Sequence, residues 1–122
     1  MPAAARADIH RVGGGRVENL RLKPREALLD PPGISVLKAV SADAVARQMR
    51  QAFPDAEALH VAVRVIGSTT ADRIRNAGFD LIPNPTKRLP NHFRLVHPDG
   101  VTGFNGENLR RLSGAFIDSE GH

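Results

Sequence analysis

The chain has 122 residues, no cysteine and a formal net charge of +4. That is the length of one ordinary domain, enough to bury a core, and the absence of cysteine excludes disulfide frameworks, Cys-ligated metal centres and thiol nucleophiles. No apolar run approaches the roughly 20 residues that span a bilayer, and the N-terminus lacks the apolar stretch of a secretory signal, so a cytoplasmic protein without membrane contact is expected.

The sequence pI near 10.6 overstates the basicity. With no Tyr and no Cys, little titrates between His and Lys, and a small positive excess carries the pI far upward. Arg6, Arg11 and Arg16 against Asp8 place half of that excess in the first 16 residues. A nucleic-acid binder usually concentrates its cations in a stripe, and here they are scattered. All five aromatic residues are Phe, and each has a reading as core.

Residues 1–16 are rich in Ala, Gly and Arg and end in three glycines, which reads as a flexible tail. Residues 17–122 then form a single domain. Leu20 and Leu22 alternate with Arg21 and Lys23, as in a short half-buried strand or an extended arm. Residues 25–30, between Pro24 and Pro31, are a brief turn of helix or loop. Residues 34–40 are β-branched and apolar on both faces, the pattern of a central strand. Ser41 caps a helix whose buried side is Val45, Met49, Ala52 and Phe53, and Pro54 ends it.

Residues 58–66 alternate like a strand but also carry a helical stripe through Leu59, Ala62, Val63 and Ile66, and we read them as helix. Thr69-Thr70-Ala71-Asp72 resembles a capping box. The short helix it opens ends at Gly78, with Phe79 placed to touch Ile74 in a Schellman motif. Residues 79–82 and 92–97 are two strands of an antiparallel pair, joined by a stiff basic loop over 83–91. Asn105 caps a last helix carrying Leu109, Leu112 and Phe116. The order of elements predicts an α+β fold, a short mainly antiparallel sheet packed by three to four helices.

Several constellations bear on chemistry. His92 and His97 with Arg94, helped by Lys87 and Thr86, have the composition of a metal-independent ribonuclease, one imidazole as base and one as acid. Strand parity opposes this, since His92 and Arg94 point to one face and His97 to the other. His92 and Arg94 with Lys87, Arg88 and Asn91 form a set able to hold an anion or an acidic partner through charge-assisted hydrogen bonds. Ser68 and Thr69 at a helix start offer amides and hydroxyls to a phosphate, against the plainer role of capping.

No Walker sequence, dinucleotide fingerprint, G-x-S-x-G elbow or metal-ligand spacing occurs, so neither cofactor nor metal is expected. A helix-turn-helix over 56–77 fails by register, because Arg73 sits where an apolar residue is needed.

The chain is therefore expected to be a small binding module that docks an acidic partner, a protein, through its Arg- and Lys-rich loop and hairpin. The ribonuclease-like toxin domain is the alternative, and non-catalytic nucleic-acid binding the third reading. These differ in their observables: partner capture, RNA cleavage, or affinity that falls steeply with salt.

Overall fold

The computed structural model describes residues 7–122. Six strands form one antiparallel sheet: β1 (Ile9–Val12), β2 (Gly33–Lys38), β3 (Val65–Thr69), β4 (Asp80–Pro83), β5 (His92–Val96) and β6 (Ile117–Glu120). Their order across the sheet is β4-β5-β2-β1-β3-β6. Six short helices cover it: α1 (Val17–Leu20), α2 (Pro24–Ala27), α3 (Ala42–Ala52), α4 (Glu57–Ala62), α5 (Ala71–Asn76) and α6 (Gly106–Ser113). The α+β single domain is as expected, with more helices than the three or four read from the pattern, because α1 and α2 are single turns too short to show a period.

Alternation along the central strands splits the core in two. Ile34 and Val36 of β2 join Ile9, Leu95, Leu109 and Leu112 in one apolar cluster. Leu37 of the same strand joins Val45, Met49, Val63, Ile66 and Leu89 in the other. Helix α3 starts as expected, the Ser41 side chain accepting a hydrogen bond from the Ala44 amide. At the end of α5, Gly78 takes φ +92°. The Phe79 amide bonds the Ile74 carbonyl at 3.1 Å and the Gly78 amide bonds that of Arg75 at 2.9 Å, which is the Schellman pair.

Four expectations are corrected. The tail over 1–16 falls partly on residues 1–6, outside those described, but residues 9–12 are β1, a central strand between β2 and β3. Its polar residues His10 and Arg11 are buried by bonding to backbone and a hydroxyl, so a hydrophobic pattern does not reveal it. Of residues 20–23, Arg21 and Lys23 are extended as in an arm, but Leu20 closes a helical turn over 17–20 and is fully buried with Leu109 and Leu112 in one cluster. Residues 58–66 divide: α4 ends at Ala62 and β3 begins at Val65, so both competing patterns are present in succession. The cap of α5 is Thr70, one residue later than the box implied, and Thr69 closes β3 with its side chain buried. Strand β6 at the sheet edge is an addition, its exposed Ile117 and Asp118 giving no apolar alternation.

A candidate ligand cleft at the split between two central strands

Strand β1 pairs with β3 through all four of its residues, but with β2 only through Ile9 and His10. Beyond His10 the ladder between β1 and β2 stops, and the Arg11 guanidinium bridges the opening. Nη1 donates to the Ser35 carbonyl at 2.9 Å. Nε and Nη2 donate to the Asn19 carbonyl at 3.1 and 2.7 Å. Asn19 is itself held, its Nδ2 donating to the Val12 and Gly14 carbonyls at 3.0 and 2.6 Å.

Arg11 is 7% exposed. No ion pair holds it among the described residues. Burial pulls its guanidinium below the ordinary arginine range, and the negative charge of Glu26 opposes that pull. The group stays cationic, because arginine does not lose its proton in proteins. Three of its five N–H groups are accounted for by these bonds, which leaves two.

His10, the residue before Arg11 on β1, lines the same opening. Its Nε2 lies 2.9 Å from the Ala39 carbonyl, so Nε2 carries the proton and donates. Nδ1 then accepts from the Ser68 hydroxyl at 2.8 Å. Burial lowers the affinity of this imidazole for a second proton, outweighing the hydrogen bond to Ala39 and the charge of Asp8.

A cleft of about 410 Å³ opens at this split, within the size range of small-ligand sites. Its polar wall includes Arg11, Asn19, Lys23, Glu26, Ser35 and His92, brought there by β1, α1, α2, β2 and β5. Its apolar wall is Leu37, Met49, Phe53, Leu59 and Leu89. The His92 Nδ1 is held by the Asn84 carbonyl at 2.8 Å, which leaves Nε2 for an occupant of the cleft.

Of the residues singled out from sequence, His92 alone lines this cleft. His97 lies on the opposite face of β5, its ring 4.9 Å from Phe79 in an edge contact and pressed against Gly103. Its Nδ1 accepts from the Asp99 amide at 3.0 Å. The two imidazoles therefore do not converge on one phosphate. Arg94 shares the His92 face, but its Nη1 is turned to the Pro31 carbonyl at 3.1 Å, and its Nε is buried without a partner among the described residues.

Asn91 and Gln48 exchange amide hydrogen bonds at 2.6 and 2.9 Å, and Asn91 also donates to the Lys38 carbonyl, so this side chain ties β5 to α3 and β2. Thr86 accepts from the Leu89 amide. Lys87 and Arg88 are exposed, with Arg88 lying 5.2 Å over the Phe53 ring. Ser68 is engaged by His10, and the Thr69 hydroxyl is buried without a partner among the described residues, so the two do not form an open phosphate cradle.

The residues missed from sequence are His10, Arg11 and Asn19. The available signal was the β-branched pair Ile9 and Val12 ahead of three glycines, a strand and turn too short to stand out. Among the described residues no three His, Asp or Glu side chains gather in a metal-sized cluster. No helix among them is long and apolar enough to cross a membrane. Comparison with protein-family models, curated proteins and solved structures finds no match to this chain.

Proposed function

We propose that the chain binds a small anionic molecule with an apolar body in the cleft between β1 and β2. The observation that carries this reading is Arg11, a buried cation with no carboxylate paired to it among the described residues, where the ladder between β1 and β2 opens. Keeping a charge out of water costs several kcal/mol, and an anion in the cleft offsets part of that cost. Lys23 adds a cationic donor, the Nε2 of His92, left as an acceptor because Nδ1 donates to Asn84, takes a hydroxyl or N–H of the ligand, and Phe53, Leu59 and Met49 take its apolar part. A phosphate ester or a carboxylate attached to a ring has this chemistry.

The test is a thermal-shift and calorimetric series with inorganic phosphate, a nucleoside monophosphate and an aromatic carboxylate. A ligand combining both parts is expected to raise the unfolding midpoint, since it binds the folded state alone. His92→Ala and Lys23→Ala are expected to weaken its binding by roughly tenfold each, the first by removing a hydrogen-bond acceptor for the ligand and the second by removing a charge-assisted bond. Equal binding of all ligands to both variants would remove the proposal.

A second reading is favoured by the exposed cations of the loop over 83–91. Lys87 and Arg88 make no ion pair among the described residues. Both are exposed to an acidic protein partner, Arg88 from its place over the Phe53 ring, and Arg suits bidentate contact with carboxylates. Its measure is binding to an acidic peptide that is lost in the Lys87→Glu, Arg88→Glu double variant and retained in His92→Ala.

A further inference from the structure

On the far side of the sheet from β4, three side chains form a relay that the cleft does not use. The Ser119 Oγ lies 2.7 Å from His122 Nε2, and His122 Nδ1 lies 2.6 Å from Asp43 Oδ1. Ser119 belongs to β6 and pairs with Ile66 across the sheet edge. Asp43 stands in the first turn of α3. The His122 side chain is 8% exposed and is enclosed between them, its main-chain carbonyl further held by the Arg50 guanidinium.

With Nδ1–H donated to the carboxylate, Nε2 is left as the acceptor of the serine proton. That is the tautomer a serine nucleophile requires. The competing contact of the Ser119 hydroxyl, to the Ile66 carbonyl at 3.4 Å, is much longer. An open hollow adjoins the relay, lined by Asp43, Arg47, Arg50, Gly121 and His122. Arg47 makes no ion pair among the described residues and lines the same hollow as the imidazole, beside the relay.

We propose that Ser119, His122 and Asp43 form a second functional site, a serine relay that accepts the acyl group of small carboxylic esters. Ser119 Oγ attacks the carbonyl carbon while its proton passes to His122 Nε2 and the carbonyl electron pair moves onto oxygen. Collapse of this adduct breaks the ester bond, and the departing alcohol takes the proton from Nε2. Water, deprotonated by the same imidazole, then releases the carboxylate and restores the serine. Ser119 and His122 are the catalytic residues, and Asp43 is a positioning residue that holds the imidazole in its tautomer.

The experiment treats the full chain with a fluorophosphonate, locates the adduct by peptide mass spectrometry, and follows p-nitrophenyl acetate hydrolysis in parallel. Labelling is expected at Ser119. It is expected to disappear in Ser119→Ala and to slow by about a hundredfold or more in His122→Gln. Asp43→Asn is expected to slow it comparably with an unchanged unfolding midpoint, whereas Asp43→Glu restores part of the rate. No adduct on Ser119, or an adduct whose rate ignores both His122→Gln and Asp43→Asn, overturns the proposal. Neither outcome bears on the cleft, whose ligands are scored by binding to different residues.

Discussion

At the residue scale, the sheet centre is held by buried polar side chains bonded to backbone carbonyls and, for His10, to a serine hydroxyl as well. His10 is the clearest case. Its folded-state proton affinity is lowered below the ordinary value of 6.5, with burial the main cause. The unfolded chain therefore binds the proton more readily, and the contribution of His10 to stability is fully present above that value and is lost as pH falls below it. Urea unfolding at pH 7 and pH 5 is expected to show a larger loss of stability in the natural chain than in His10→Gln, which keeps a donor and an acceptor but does not titrate. An equal loss in both would show that this imidazole is not the responsible group. Thr69 makes the converse case. Its hydroxyl is buried without a partner among the described residues, so Thr69→Val is expected to stabilise the fold by about 1 kcal/mol, read from the denaturation midpoint.

At the element scale, the helices are too short to hold themselves and depend on their ends. Helix α6 has eight residues and takes its cap from Asn105, whose Oδ1 accepts from the Asn108 amide at 2.9 Å. Leu109 and Leu112, one turn apart, then reach the core. Helix α5 ends on Gly78 with a positive φ that an L side chain resists. Gly78→Ala is expected to cost about 1 kcal/mol, a value equilibrium denaturation resolves. A Cβ there would meet only the tip of His97 at 3.8 Å, so the cost is conformational and not a clash. Gly103 differs, since a Cβ would fall 2.0 Å from the His97 ring. The close approach at Gly103 is what lets that imidazole lie edge-on to Phe79 and away from the face of His92.

At the scale of the whole molecule, β1 is the element on which the sheet depends. It joins β2 and β5 on one side to β3 and β6 on the other. Deleting residues 1–12 is expected to abolish the cooperative thermal transition, followed by far-UV circular dichroism, because it bares two strand edges and removes Ile9 and Val12 from the two cores. A truncated chain that still unfolds cooperatively would contradict this placement. The same topology explains where the cleft lies. A sheet whose middle pair is bonded over only two residues leaves backbone groups to be satisfied beyond them, and Arg11 bridges that opening from the side.

Local pattern alone carried the elements whose burial follows apolar spacing: β2, α3, the α5–Gly78 ending, the β4–β5 pair and α6. The reason is that their stability comes from apolar faces and local caps, which are written in neighbouring residues. It also carried the opposite orientation of His92 and His97, a consequence of strand parity. Long-range partners decided the rest. Residues 9–12 become a strand only because β2 and β3 stand on either side of them. Arg11 becomes a buried cation only because the carbonyls of Asn19 and Ser35 come within reach, and Ser119 is linked to Asp43 only through His122, once α3 and β6 both pack against β3. Hydrogen bonds between residues tens of positions apart leave no periodic trace along the chain, so the cleft and the relay come into view only when the strands are assembled.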